Sequence, residues 1–273
     1  MSIFGEPFHY ASGGAFPYDF QIEQSARFTR AESSYLSRTK QSGGNLRSWT
    51  LSVWVKFTGV AGFTNPQYYL YTAKDNGAGA YDTIIFHTDT GTNAGIIYNS
   101  CPPNYYVPNA FITDTSAWYH FVYVWDSDNG TQADRIRIYL NGTRLAKREG
   151  SEGSSRDSQL NDNTVHYIAA RQDNNSSYYG DFYLAEMHWL DGYSYDASYF
   201  GESKDAPGGG SVWVPIDYKT NTGNYGTTGY YLKFENASDL GNDSSGNNND
   251  WTANNMGTDH QVADSPTFDD AGS

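Results

Sequence analysis

The sequence predicts an all-β jelly-roll sandwich of two antiparallel sheets, and three observations carry that expectation. Short segments alternate apolar and polar residues, most clearly at 48–57, where Trp49, Leu51, Val53 and Val55 fall on one face and Thr50, Ser52, Trp54 and Lys56 on the other. A period of two over that length describes a half-buried strand. Gly (28 residues) and clusters of Asn, Asp and Ser separate the segments and supply turns. Aromatic residues make up 16% of the chain, with 24 Tyr, whose rings suit a pleated surface and whose hydroxyls suit a half-wet one.

The elements follow in chain order. Residues 1–20 carry Phe4, Phe8, Phe16 and Phe20 without any period and read as an extended arm, packed either on its own domain or on a neighbouring subunit. Short strands are expected at 25–28 and 34–37, a long one at 48–57, and others at 68–72, 83–87 and 95–98. Cys101 precedes Pro102 and Pro103, which cannot donate to a ladder. Strong strands follow at 118–125 and 134–140. Asn141-Gly142 then marks a tight hairpin, because both turn residues tolerate positive φ, and 143–146 returns. Residues 149–163 read as a solvated loop, and strands resume at 165–169 and 180–190. One short helix is expected at 196–201, with Asp196 as N-cap and Gly201 as stop. Strands at 212–214 and 230–234 lead into a segment rich in Asn, Asp, Gly and Ser, anchored by Trp251. The division is therefore an attachment arm (1–20), a sandwich (21–235) and an irregular C-terminal wrap (236–273).

Composition narrows the function classes. The chain has 273 residues and a formal net charge of −14. Such an acidic surface repels nucleic-acid phosphates and anionic membranes, so neither is expected as a partner. A single cysteine, Cys101, excludes an intrachain disulfide and fits assembly in a reducing cytosol; the thiol itself reads as inert. The first 20 residues show no basic start followed by an apolar core, and no apolar run approaches a bilayer-spanning length.

Several ordered motifs carry a family resemblance. Trp118 and His120 open a hydrophobic strand that ends at Asp126, and Tyr139, Asn141 and Gly142 close the next one. The strand from Trp49 to Lys56 precedes them, and the one from Tyr179 through Gly180 and Glu186 to Met187 follows. Last come Leu232, Phe234 and Glu235 with the Asp243, Ser244, Ser245, Gly246 turn. Together these resemble the concanavalin A-like fold of the LamG and pentraxin type over about residues 20–255. A second set (19–28, 34–38, 200–202 and 264–267) is similar to jelly-roll proteins of tailed phages. That second resemblance implies a virion structural protein, either a capsid decoration or a tail or head fibre subunit. It would be assembled in the bacterial cytoplasm, displayed on the particle surface and attached to other virion proteins through its arm. A homo-oligomer is implied, a trimer foremost, with host-surface glycans as a further partner. The alternative is a lectin-like glycan-binding adhesin, and a glycoside hydrolase stands third.

Glycoside hydrolysis needs two carboxylates facing one another across a cleft. Asp181 and Glu186 are five apart, so strand alternation puts them on opposite faces, and Glu186 reads as part of a polar network. No catalytic residue and no required cofactor are expected. LamG and pentraxin domains hold Ca2+ at a loop rim, which makes Ca2+ an option here. Its ligand candidates are Asp126, Asp128 and Asn129 in one turn, and Asp239, Asp243 and Asn247, with Asn242, in another. The first cluster reads foremost as an Asn/Asp hairpin turn, and the second as an Asp-Ser-Ser-Gly turn capped by its own side-chain oxygens. Glycan stacking would fall to Tyr105, Tyr106, Tyr178 and Tyr179, with Asn174 and Asn175 beside them, unless these rings cover the core or a subunit contact. His120 and His188 lie in strands and read as core or surface residues.

Overall fold

The computed structural model describes residues 18–40, 42–58, 67–73, 82–87, 96–101, 104–110, 112, 114–153, 155–172, 177–206 and 209–267. The expected arm therefore lies outside the described residues up to position 17, as do Asn174 and Asn175.

Two eight-stranded sheets face each other. The strands are numbered along the chain. The first sheet runs in the order β10 (Thr143–Arg144), β9 (Ile136–Leu140), β8 (Trp118–Asp126), β3 (Ser48–Phe57), β15 (Phe182–Asp191), β1 (Ser25–Phe28) and β20 (Gln261–Val262). Strand β18 (Tyr230–Leu232) also pairs with β15. The second sheet runs β11 (Lys147–Ser151), β7 (Asn104–Pro108), β6 (Ile96–Cys101), β5 (Asp82–His87), β4 (Gln67–Ala73), β12 (Val165–Ile168), β2 (Tyr35–Thr39) and β19 (Thr252–Asn254). Every pairing is antiparallel. Two small hairpins lie outside the sheets: β13 (Ala170–Gln172) with β14 (Ser177–Tyr179), and β16 (Gly201–Asp205) with β17 (Ser211–Pro215). The expected all-β jelly-roll sandwich is what forms. Among the described residues no helix is long and apolar enough to cross a membrane.

The core follows from the alternation. Trp49, Leu51, Val53 and Val55 point between the sheets, as the sequence predicts, and meet Phe121, Tyr123 and Trp125 from β8. A ring stack crosses the gap: Trp49 and Trp189 lie 4.8 Å apart, and Tyr71 of the second sheet packs on Trp189 at 4.9 Å. The opposite face of β3 is not solvated, however. Thr50, Ser52 and Trp54 are buried as well. A second layer covers them, built from Phe200, Trp213, Tyr218, Tyr225 and Tyr231. The 48–57 strand is therefore buried on both faces, which a polar–apolar alternation does not show.

Three local expectations change. The 196–201 helix is a single 3-10 turn, Ala197–Tyr199; Asp196 caps it by accepting from Ser198 N at 2.9 Å, and Gly201 opens β16 instead of stopping a helix. A one-turn α-helix forms at Tyr218–Asn221, capped by Asp217, which accepts from Thr220 N at 3.0 Å. Part of the expected 149–163 loop belongs to β11, an edge strand whose charged residues hid it and whose register with β7 shifts between Lys147 and Glu149. The Asn141-Gly142 hairpin forms with φ of 46° and 78°, and Gly142 is obligatory for a second reason: a Cβ there would sit 2.3 Å from the Trp213 ring.

Candidate functional site on the outer face of the first sheet

The feature that aims the site is a β-bulge. Strand β15 pairs Ala185 with Trp54 but His188 with Ser52, so one extra residue is inserted, and Glu186 takes φ = 47°. The bulge divides the far edge of β15 between β1, which pairs with Phe182 to Leu184, and β18, which pairs with Met187 to Trp189. It also interrupts the alternation that separates Asp181 from Glu186. Glu186 turns to the outer face and joins His188 there, Nε2 lying 3.6 Å from Glu186 Oε2.

These side chains meet Ser52 and Trp54 of β3 and His120 of β8 in a crevice lined also by Phe20, Phe200, Pro215 and Ile216 and too narrow to seat a water. Its polar groups are tightly committed. Trp213 Nε1 donates to His120 Nδ1 at 3.0 Å. An indole N–H can only donate, so Nδ1 is the acceptor and the proton sits on Nε2, 2.8 Å from Ser52 Oγ. The imidazole thus donates to the serine and cannot withdraw its proton, so this pair is not an activated nucleophile. Burial, with His188 adding to it, pushes the His120 pKa down to about 3 and keeps the ring neutral. Tyr231 Oη donates to Glu186 Oε2, and its ring stacks on His188 at 4.2 Å. Tyr225 Oη meets His188 Nδ1 at 3.1 Å. Burial first, then the Glu186 carboxylate, holds the Tyr231 phenol far above its ordinary value. Among the described residues, Glu186 is the one carboxylate lining the pocket.

Beside the pocket, the two ends of the described chain are clasped together. Ile22 N donates to Thr267 Oγ1 at 2.8 Å, and Ile22 O accepts from Thr267 Oγ1 at 2.9 Å and from Ser265 Oγ. Ser25 Oγ donates to Asp264 O at 2.6 Å. The Asp264 carboxylate takes Lys56 Nζ at 2.6 Å and Trp118 Nε1 at 2.9 Å. Ile22 is buried against Trp54 and Ala185, so the clasp seals the outer face.

The sequence-predicted site residues are distributed as follows. In the first acidic turn, Asp126 Oδ2 accepts from Asn129 Nδ2 at 2.9 Å and pairs with Arg137 at 3.4 Å. Asn129 Oδ1 accepts from Thr131 N at 2.9 Å. Asp128 pairs with Arg47 at 2.9 Å and accepts from Ser155, whose hydroxyl, with Arg47, lowers its pKa. In the second turn, Asp243 is saturated. Tyr231 N and Ser245 N reach Oδ1 at 2.8 Å, and Ser245 Oγ and Asn249 N reach Oδ2 at 2.8 Å. Asn247 spends its amide N–H groups on Gly226 O at 2.7 Å and Gly229 O at 3.0 Å, while Asp239 is exposed. Asp243→Ala leaves those four donors unmatched, three of them backbone N–H groups, and is expected to lower stability by about 3 kcal/mol in urea unfolding. A loss below about 0.5 kcal/mol would show the turn to be self-sufficient.

The tyrosine pairs do not come together. Tyr106 is buried, and its hydroxyl donates to Leu145 O at 2.8 Å. Tyr105 pairs with Ser100 and Ser151 in the second sheet. Tyr178 and Tyr179 sit on the β13–β14 hairpin, against β4 and with β5 and β6 intervening before β7. Tyr178 is exposed, its ring 5.7 Å from that of Tyr69, with the Arg171 guanidinium 5.7 Å above it. Tyr179 packs on Tyr35 at 5.9 Å.

Two facing antiparallel sheets, with a strand-borne polar pocket on the outer face of one of them, define a lectin-type jelly-roll module. The family model Laminin_G_3, described as the concanavalin A-like lectin/glucanases superfamily, matches residues 30–193, and the chain belongs to that family. Among solved structures, it is similar to the heptameric SAP-like pentraxin of Limulus polyphemus, with 14% identity and a TM-score of 0.48 over 64% of this chain and 78% of that one. It is also similar to domains LG4-5 of the mouse laminin alpha1 chain, with 13% identity and a TM-score of 0.42 over 76% of this chain and 50% of that one. A third likeness is to tailspike protein 2 from an Escherichia coli O157:H7 bacteriophage, with 7% identity and a TM-score of 0.41 over 60% of this chain and 22% of that one. No curated protein matches the chain.

Proposed function

We propose that this chain is a non-enzymatic structural subunit of a tailed-phage particle, a capsid decoration or a head or tail fibre subunit, assembled in the bacterial cytoplasm and displayed on the virion surface. The clasp is the observation that carries this reading. Two of the stretches that resemble phage jelly-roll proteins, 19–28 and 264–267, are hydrogen-bonding partners, so the resemblance follows a structural unit of the fold. The filled outer-face pocket supports a building block over an enzyme, because its serine–histidine pair is polarised the wrong way and Glu186 is its one carboxylate among the described residues. A net charge of −14 and a single cysteine suit a soluble subunit made in a reducing cytosol. The arm 1–20 would join neighbouring virion proteins, and the subunit would form a homo-oligomer, with a trimer the first expectation. Mass spectrometry of gradient-purified particles of the encoding phage should find the chain at structural copy number. Its restriction to the soluble lysate as a free monomer would overturn the reading.

Exposed Tyr178, with Arg171 above its ring, favours a second role on the same particle, adhesion to host glycans. A glycan array should show binding that Tyr178→Ala removes. Because Asp126, Asp128 and Asp243 are committed to arginines and N–H donors, EDTA is expected to change neither the array signal nor the Tm. A Ca2+-dependent gain in either would assign a cation to one of these turns.

A further inference from the structure

We propose that Lys40 and Asn161 become joined after folding by an amide bond between Lys40 Nζ and Asn161 Cγ, formed with release of ammonia and assisted by Asp191. The three side chains meet where the sheets join. Lys40 follows β2 of the second sheet, Asn161 ends the 3-10 turn Gln159–Asn161, and Asp191 ends β15 of the first sheet. Lys40 Nζ lies 2.8 Å from Asn161 Oδ1. Asn161 Nδ2 donates to Asp191 Oδ1 at 2.7 Å.

Each group is set up for the role it would play. Lys40 is 2% exposed, and its amine donates to Leu160 O at 3.2 Å besides Asn161, with the Asp191 carboxylate close enough to act on it electrostatically. Burial, with Arg38 adding to it, drives its pKa well below the ordinary lysine value, so the neutral, nucleophilic form is accessible. The amide carbonyl is polarised by Thr228 Oγ1 at 2.7 Å and Trp189 Nε1 at 3.1 Å. Once the amine has left the oxygen and approached the adjacent carbon from above the amide plane, these two donors remain to hold the oxyanion. Asp191 is fixed by Asn45 N at 2.6 Å and by Thr227 N and Thr228 N, each at 3.1 Å. It touches the leaving nitrogen directly.

The step balances without a co-reactant. Lys40 Nζ attacks Asn161 Cγ, the new C–N bond forms, and the oxygen takes up the displaced electron pair. A proton passes from Nζ through the Asp191 carboxylate to Nδ2, the Cγ–Nδ2 bond breaks, and ammonia leaves. Water, the competing nucleophile, is kept out: Asn161 is 0% exposed, Trp189 covers the amine at 5.0 Å, and Tyr71 stacks behind Trp189. Gly44 closes the remaining side, where a Cβ would lie 2.4 Å from both Asn161 Nδ2 and Asp191 Oδ1. Fixing both reactants in one site converts a slow bimolecular aminolysis into an intramolecular one. The bond would tie residues 121 positions apart, in a chain whose single cysteine rules out an intrachain disulfide, and it needs no oxidant.

Intact-mass spectrometry of the full chain under denaturing conditions tests this directly. The expected result is a mass one ammonia below that of the sequence, with proteolysis yielding a branched peptide that contains both Lys40 and Asn161. Lys40→Met should restore the full mass. Thr228→Val, which removes one oxyanion donor, should slow the ammonia loss from freshly folded protein by about 100-fold while leaving its endpoint unchanged. Recovery of Lys40 and Asn161 in separate linear peptides after prolonged incubation of folded wild-type protein would overturn the proposal. So would an ammonia loss mapped to any other residue.

Discussion

Trp49→Ala is expected to lower the unfolding free energy by about 4 kcal/mol, enough to remove most of the stability of an ordinary domain. Trp49 is 0% exposed and stands mid-sandwich, 4.8 Å from Trp189 and 6.3 Å from Trp125. Truncation opens a cavity that neither sheet can close, because β3 is held by long antiparallel ladders on both sides, to β8 and to β15. Trp49→Phe gives the contrast. Among the described residues, buried Trp49 Nε1 has no hydrogen-bond partner. The Phe variant loses ring volume but also removes that unmatched donor, so about 1 kcal/mol or less should be lost. Urea unfolding of the two variants side by side checks this. Similar losses for both would mean that the stack, and not the filled volume, is what matters.

The same tryptophan shows what the sequence makes legible. Trp49, Leu51, Val53 and Val55 alternate cleanly because their face meets the opposing sheet, and the expected inward set is the observed one. Thr50, Ser52 and Trp54 read as solvent-facing because the layer that buries them comes from residues around 200, 213 and 225, far along the chain. Strand β11 was hidden for the opposite reason: Lys147, Arg148 and Glu149 make an edge strand look like a loop. The bulge at Glu186 was illegible because it arises from the partners of β15, which takes β1 on one side of the bulge and β18 on the other. Of the candidate site residues, Asp243 could be read as a self-capped turn from the Asp-Ser-Ser-Gly sequence alone. The exposure of Tyr178 on a hairpin with Tyr69 behind it depends on a contact more than 100 positions away. Local turn chemistry is written in neighbouring residues; the outer layer and the clasp are written in pairs that only folding brings together.

Stability should fall as the pH drops below about 6.5, and the buried His120 should account for a large share of the loss. In the unfolded chain this imidazole takes up its proton near 6.5, whereas in the fold burial holds its pKa at about 3. Between those values the unfolded state binds the extra proton, so the stability linked to this group is complete above 6.5 and is progressively lost as the pH falls toward 3. The slope is about 1.4 kcal/mol per pH unit, which makes a loss of about 2–3 kcal/mol between pH 7.5 and pH 4.5. Geometry explains why the fold cannot relieve the penalty. Trp213 Nε1 donates to His120 Nδ1 at 3.0 Å, so protonation would set two N–H groups against each other beneath the rings of Trp54 and Trp213. His120→Gln keeps an acceptor for Trp213 and a donor for Ser52 but cannot titrate. Urea unfolding at the two pH values should therefore show the wild-type difference reduced by about 2 kcal/mol in this variant. Equal differences in the two proteins would mean that His120 takes up its proton in the fold as readily as in the unfolded chain, and that burial does not hold the ring neutral.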